Sequence, residues 1–433
     1  KRDELKMLIT STYRHYREIV NLADHINVIA LDQLSAQLKD YEIVTNVSES
    51  IISSLLDTIL DDAIEQNASD IHIESSRYAL KLRYRISGTL IEQAEMPMEI
   101  ADYVLRRLLV ISEGDITQML LPQDTSFEHA YRGSQHSLRM STLFTSSGYS
   151  IVLRILMEPS FYTSLKNFVV EDEAYAEITQ YLTAKNGMML LTGPTSSGKT
   201  TTLYASLNYV NDSETKIITM EDPVESELKG LNQVEVAPDA GLDFADVIRS
   251  TLRQNPDVLM VGEIRDATSA VMAMRAAITG IMVMSTLHTK TCSATVLRLL
   301  DLGVDPGMIS IGLKLTIAQR LVRCICPYCK EEHKPSENEI SALKVIKPEV
   351  LEKTFYRGKG CEMCVNTGFG EVRAVFEVLR MDTGLSRLIA DGNVGEFAKA
   401  VREKLEGKTL LDKAFDMALK GVTTIDEVIK LYF

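Results

Sequence analysis

From Ser50 the apolar positions fall into a sharp pattern: Ile51, Ile52, Leu55, Leu56, Ile59, Leu60 and Ile64 recur at helical spacing. Asn67-Ala68-Ser69-Asp70 ends that helix, and Ile71 to Glu74 reads as a short strand. Leu80, Leu82, Tyr84 and Ile86 then alternate with Lys81, Arg83 and Arg85, the signature of a half-buried strand with a basic outer face, turned by Ser87-Gly88. Further strands fit Ser137–Leu143 and Ser150–Leu156, with Ser147-Gly148 as a hairpin turn. Before this region, residues 1–45 read as polar amphipathic helix with weak apolar faces, an arm or the remnant of a larger domain.

The pattern predicts a small α+β domain over 46–165, closed by a linker from Glu158 to Asn167. From about 168 the order becomes strand, Gly-rich loop, helix, strand, helix, strand, which is a parallel α/β domain over 166–433. A cysteine-bearing insertion at 324–370 interrupts it, with Thr316–Arg323 ahead of the cysteines reading as helix, and residues 380–433 form a helical tail.

Composition narrows the function. The 433 residues leave room for about three domains. Charged residues make up 24%, and 46 basic against 60 acidic residues give a net charge of −14, which counts against nucleic acid as the main partner. The longest apolar stretch, Ala276 to Leu287, has 12 residues, short of the ~18–20 a membrane helix needs. Any membrane association is therefore expected to be peripheral, through a partner or a surface. The first residue is Lys1 rather than Met, so native residues upstream are expected to be missing, and no signal peptide is read. The six cysteines do not form a disulfide scaffold, which points to a reducing cytoplasm.

The chemistry concentrates after residue 188. Gly193-Pro194-Thr195-Ser196-Ser197-Gly198-Lys199-Thr200, followed by Thr201, fits GxxxxGK[ST] between an apolar strand, Met188–Leu191, and a helix. In that context the glycines let backbone amides and a helix N-terminus wrap a phosphate. Lys199 is then expected on the β- and γ-phosphates of ATP and the Thr200 hydroxyl on Mg²⁺. The strand Asp257–Val261 ends in Gly262-Glu263, with glycine where the usual carboxylate of such a strand would stand. Glu263 becomes the candidate to orient attacking water. Lys216–Met220 is a further strand, ending in the acidic cluster Glu221-Asp222-Pro223-Val224-Glu225 at the edge where α/β ligands bind. Arg249 and Arg253 share a face of the expected helix Asp243–Gln254, and Arg265 follows Glu263 by two. All three can neutralise phosphate charge; each also has an ordinary reading as a structural ion pair.

Cys326-x-x-Cys329 and Cys361-x-x-Cys364 are two knuckles separated by 31 residues, suited to a closed tetrahedral Zn²⁺ site. Cys326-Pro327-Tyr328-Cys329 alone looks like a redox-active pair, but that chemistry needs a strand before and a helix after the first cysteine. Cys292 and Cys324 are left unligated, and His72 and His129 carry no expected function.

These motifs together resemble the type II secretion and type IV pilus assembly ATPase family. The likeness extends from about Ser50 to the C-terminus and is carried in order by Ser69-Asp70-Ile71-His72-Ile73-Glu74, Arg83–Gly88, Leu121-Pro122-Gln123-Asp124, Leu138–Thr142, the phosphate loop, Glu221–Glu225, Gly262-Glu263-Ile264-Arg265-Asp266 and Ser285-Thr286-Leu287-His288-Thr289. Departures are Ser87 for the usual Asp, Thr125-Ser126 for Gly-Arg, and Ser196 for glycine in the phosphate loop. The resemblance implies an α/β fold: a RecA-like parallel-sheet P-loop ATPase domain with a smaller PAS-like α+β domain, a zinc-binding insertion and a helical tail. It implies Glu225 and Glu263 as catalytic carboxylates and His288 at the γ-phosphate. It also implies Glu221, Arg249, Arg253 and Arg265 near the nucleotide, with Arg139 and Arg154 reaching it from the small domain. The four-cysteine motif resembles that of secretion and pilus-extension ATPases, which retraction ATPases of the superfamily generally lack. The expected protein is a cytoplasmic homo-hexamer acting on an inner-membrane platform protein to drive pilin polymerisation or type II secretion. A pilus-retraction ATPase, a RecA-like DNA helicase or translocase, and a nucleotide-binding scaffold are the alternatives.

Overall fold

A computed structural model describes residues 18–23, 41–156, 164–236, 244–350 and 353–432. The expected arm over 1–45 therefore lies largely outside the described residues, apart from helical turns at 18–23, which bury Ile19 and Ala23, and the start of the helix Tyr41–Glu65. The chain divides into two compact units: residues 1–158 with 360–367, and residues 159–359 with 368–433. Among the described residues, no helix is long and apolar enough to cross a membrane.

The first unit is a six-stranded antiparallel sheet in the order β3-β2-β1-β6-β5-β4. Its strands are β1 (Ala68–Ser75), β2 (Leu80–Ile86), β3 (Thr89–Met96), β4 (Gln123–Tyr131), β5 (Ser134–Thr145) and β6 (Gly148–Ile155). Alternation decides which face is covered. Ile71, Ile73, Leu82, Tyr84, Leu138, Met140, Ile151 and Leu153 bury against Leu55, Ile59 and Leu60 of Tyr41–Glu65 and Leu105, Leu108 and Leu109 of the helix Ala101–Ile111. The basic face predicted for β2 is neutralised within the sheet: Arg83 bonds Glu74, Lys81 meets Glu92 at 3.2 Å and Glu95 at 2.9 Å, and Arg85 lies 3.5 Å from Asp70. Ser87 and Gly88, both at positive φ (48° and 79°), make the tight hairpin turn into β3.

The second unit is a seven-stranded sheet in the order β15-β12-β7-β11-β10-β8-β9. Its strands are β7 (Met188–Thr192), β8 (Ile217–Glu221), β9 (Asn232–Glu235), β10 (Val258–Val261), β11 (Met282–Leu287), β12 (Leu313–Ile325) and β15 (Phe369–Arg380). All neighbours are parallel except β15, which runs antiparallel to β12. β7, β8, β10 and β11 are buried along their whole length because apolar clusters cover both sheet faces. A two-stranded ribbon, β13 (Lys330–His333) with β14 (Phe355–Gly358), packs its Phe355 with Leu343, Phe415, Ile425 and Val428. The helical tail comprises Thr383–Ala390, Val394–Lys404, Leu410–Leu419 and Ile425–Tyr432.

Several expectations need correction. Thr316–Arg323 is not helix; it belongs to β12, a strand paired on both sides, whose first residues are buried on both faces and so lose the alternation that marks a half-exposed strand. The expected helix Asp243–Gln254 is Phe244–Thr251 followed by one 3-10 turn, Leu252–Gln254, and Asp243 lies outside the described residues. The expected linker ends in a helical turn, Leu165–Phe168, and its earlier part lies outside the described residues. Segment 360–367 lies inside the span read as the insertion, 324–370, between β14 and β15. It is an excursion tied at its ends, where Lys359 N donates to Cys329 O (3.1 Å) and Cys326 N to Gly368 O (3.0 Å).

Tyr84 is fully buried, and its hydroxyl donates to the Ile59 carbonyl at 2.9 Å, joining β2 to the long helix. Tyr84→Phe is expected to destabilise the first unit by about 1 kcal/mol, the worth of one buried hydrogen bond, read as a lower denaturant midpoint with an unchanged slope.

Candidate active site and cysteine cluster

The phosphate loop leaves β7 at Thr192 and enters the helix Lys199–Val210. Two glycines are required by space. A Cβ on Gly193 would lie 2.5 Å from Ser197 Oγ and 2.6 Å from the Gln319 carbonyl. Gly198 caps the helix at φ 81°, and a Cβ there would lie 2.8 Å from Gln319 Nε2. Inside the loop, Ser197 Oγ is buried and has no hydrogen-bond partner, an orphan that an anion's oxygens can satisfy. Pro194, Thr195 and Ser196 form the exposed rim of the loop. Lys199 is 9% exposed and folds back onto the loop, its Nζ donating to the carbonyls of Gly193 and Pro194 at 2.9 Å each. Burial lowers its pKa, and Glu263, Arg320 and Glu225 are near enough to act on its charge. Thr200 Oγ1 donates to Glu225 at 3.3 Å, while Thr201 lies partly buried in the first helical turn.

Across the loop, β10 delivers Glu263. Gly262 stands where the usual carboxylate of such a strand would be; a Cβ there would lie 3.1 Å from the Met220 carbonyl of β8, and Gly262 N donates to that same oxygen at 2.7 Å. Arg265 Nε donates to Glu263 at 2.7 Å, and its other end reaches Asp222 at 3.0 Å. The opposite Glu263 oxygen lies 3.2 Å from His288 Nε2. Burial alone would raise the Glu263 pKa, but Arg265 and His288 outweigh it and hold the carboxyl below the ordinary range. Glu263 is thus an ionised, two-sided acceptor at neutral pH, suited to orienting a water molecule.

Glu221, expected at the nucleotide, is 4% exposed with both oxygens engaged: Tyr204 bonds Oε2, while Thr219 Oγ1 (2.5 Å) and Gln233 Nε2 (3.1 Å) donate to Oε1. The same Tyr204 hydroxyl accepts from Glu225 N at 3.3 Å, so this network sets the acidic loop against the phosphate-loop helix. Arg249 pairs with Asp246, and Arg253 donates to the Arg249 carbonyl at 3.1 Å; both are exposed and tied to their own helix. Arg139 and Arg154 belong to the first unit, opposite one another on β5 and β6; Arg154 bonds Asp70 at 2.9 Å, and Arg139 is exposed. His129 pairs with Asp61 at 2.7 Å.

Sequence reading missed Gln319 and Arg320. Gln319 is buried, accepts from Thr202 Oγ1 at 2.9 Å and packs on Gly198. The signal was present as a polar pair, Gln319-Arg320, inside an apolar run, but it lay within the segment read as helix.

The four sulfurs of Cys326, Cys329, Cys361 and Cys364 lie within 4.8 Å of one another, and Cys361 and Cys364 are 3.7 Å apart. Tetrahedral zinc with Zn–S of about 2.3 Å separates its sulfurs by about 3.8 Å, so the donor set fits that ion. The redox alternative fails on the C-terminal side of Cys326. A strand does precede that residue, contrary to expectation, but the chain turns through Cys329 into β13 rather than into a helix. Cys292 is buried with its thiol pushed up by burial, and Cys324 is likewise pushed up to about 11; neither belongs to the cluster.

A parallel sheet bearing a phosphate loop, with an ionised carboxylate at the end of the next strand but one, defines a RecA-like P-loop ATPase. The chain belongs to the type II/IV secretion system protein family, whose sequence model matches residues 45–430. It is 34% identical to type II secretion system protein E of Pseudomonas aeruginosa over 99% of this chain and 86% of that one. It is 35% identical to the type IV pilus assembly ATPase PilB of Myxococcus xanthus over 90% and 69%. Among solved structures, the fold matches the ATPase DotB of Legionella pneumophila (TM-score 0.65, 24% identity, 88% of this chain and 95% of that one). It also matches the pilus retraction motor PilT (TM-score 0.60, 24% identity, 87% and 96%).

With four thiols so placed, metal analysis of the purified native chain is expected to find about one zinc per chain, lost in Cys361→Ser. A folded native protein without metal would contradict the assignment.

Proposed function

We propose that this chain is a motor that converts ATP hydrolysis into pilin addition or type II secretion, working as a homo-hexamer on the cytoplasmic side of the inner membrane. The observation that carries the chemistry is the convergence of Lys199, Thr200, Glu225, Glu263 and His288 around one phosphate loop. Lys199 exchanges its two loop carbonyls for phosphate oxygens. Thr200 and Glu225, 3.3 Å apart, would hold Mg²⁺, which would neutralise phosphate charge. Glu263, kept ionised by Arg265 and His288, orients the attacking water. Arg249, Arg253 and Arg265, with Arg139 and Arg154 of the first unit, are proposed to stabilise charge developing on the phosphate. Glu221 acts at one remove, by fixing Tyr204 and the acidic loop.

Assembly or secretion is favoured over retraction by the relatives at 34–35% identity and by the zinc-compatible cysteines. An inner-membrane platform protein is the proposed partner, and membrane association is proposed to be peripheral. A DNA translocase is disfavoured by the net charge of −14.

Steady-state ATP hydrolysis per subunit is expected to rise with protein concentration, as a ring forms, and to ignore single-stranded DNA. A rate that stays low until DNA is added would establish the translocase instead. Glu263→Gln is expected to retain ATP binding and lose turnover on the order of a hundredfold or more. Near-wild-type turnover in that variant would remove Glu263 from the mechanism.

A further inference from the structure

Arg320 lies midway along β12 with its guanidinium flush against the first glycine of the phosphate loop: a Cβ on Gly193 would sit 3.1 Å from Arg320 Nη1. Its two ends are committed to carbonyls. Nη1 donates to Gln319 O at 2.8 Å and Nη2 to Lys290 O at 3.0 Å. Lys290 is two residues past His288, so this second bond holds the loop that presents His288 to Glu263.

The same loop is tied at two further points. Thr289 N donates to Thr192 Oγ1 at 2.8 Å, where β7 meets the phosphate loop. At its far end Cys292 N, the first amide of the helix Cys292–Asp301, donates to Glu377 Oε1 at 2.9 Å. Glu377 is 3% exposed, and its second oxygen accepts from Leu410 N at 3.4 Å, the first amide of another helix. Burial works against the Arg320 charge, and the Glu377 carboxylate supports it. A buried carboxylate, an arginine fork and a threonine hydroxyl thus bracket four residues, His288 to Thr291.

We infer that Arg320 is a positioning residue for His288: its fork clamps the loop carrying that histidine against the entry of the phosphate loop. The bond that reaches the loop carrying His288 is the one from Arg320 Nη2 to the Lys290 carbonyl, so the effect of Arg320 on His288 runs through that loop. The inference rests on the proposed reading of Glu263 and His288.

The test is a double-mutant cycle on the full chain, with steady-state ATP hydrolysis for wild type, Arg320→Met, His288→Ala and the pair. Arg320→Met is expected to lower kcat by on the order of tenfold to a hundredfold, the penalty of a misplaced catalytic group, while KM for ATP stays within about twofold. In the double variant the loss is expected to equal that of His288→Ala alone, because a clamp has nothing to position once the histidine is gone. Arg320→Met also removes the counter-charge of Glu377, so Arg320→Lys provides a second cycle. It keeps the charge but not the planar fork, and is expected to show the same kcat loss and the same non-additivity. Losses that multiply, or a rise in KM with kcat intact, would overturn the inference in favour of independent action or direct nucleotide contact. If His288→Ala is slow and both Arg320 variants turn over normally, only the clamp falls. If His288→Ala itself matches wild type, the reading of His288 falls and the clamp with it.

Discussion

The Thr192 side chain is the joint on which the site depends. Its hydroxyl sits where β7 gives way to the phosphate loop, within 3.2 Å of the Leu287 carbonyl, 2.9 Å of the Thr289 carbonyl and 2.6 Å of the Thr289 hydroxyl, and it accepts from Thr289 N at 2.8 Å. One buried hydroxyl therefore fixes the end of the strand that delivers phosphate-binding groups to the end of the strand that delivers His288. The joint works because β7 and β11 are adjacent and parallel, in a register that places Leu287 beside Thr192. Parallel strands with buried faces are rigid, so two loops leaving the same sheet edge inherit that rigidity.

A second linkage runs through the acidic loop. Glu221 is buried with three donors around it, and desolvation of a carboxylate is tolerable only with such partners. Those partners include Tyr204, on the helix the phosphate loop opens, so the loop carrying Asp222 and Glu225 is referenced to the same helix as Lys199 and Thr200. Burial and the Glu221 carboxylate both raise the Tyr204 pKa, which keeps the phenol a hydrogen-bond donor. Glu221, expected at the nucleotide, thus also anchors the groups beside it.

The legible parts of the sequence were those where one pattern had one physical meaning. Gly193 and Gly198 were readable because a glycine between a strand and a helix seldom serves anything but backbone geometry, and both meet contacts that leave no room for a Cβ. The four cysteines were readable because paired thiols at short spacing seldom serve packing. β12 was not. Leu313, Leu315 and Ile317 step by two as in a strand, while Leu313, Ile317 and Leu321 step by four as in a helix, and burial of both faces removes the polar alternation that would decide between them. β4 was missed for the opposite reason: at the sheet edge only Phe127 is buried, so its run of polar residues carries no periodic signal. Arg320 and Gln319 went unseen because the misread segment contained them.

The side chains around Glu263 show why no single residue type marks such a site. Arg265 and His288 bind opposite oxygens of one carboxylate, and Arg265 also spans to Asp222, so one guanidinium holds two acidic groups that would otherwise repel. The position that carries the usual carboxylate in such a strand is Gly262 here, whose N donates to the Met220 carbonyl of the adjacent β8 at 2.7 Å. The carboxylate stands one residue further along the chain, at Glu263. There it gains an arginine and a histidine as partners, and its ionisation comes from those partners against the opposing effect of burial.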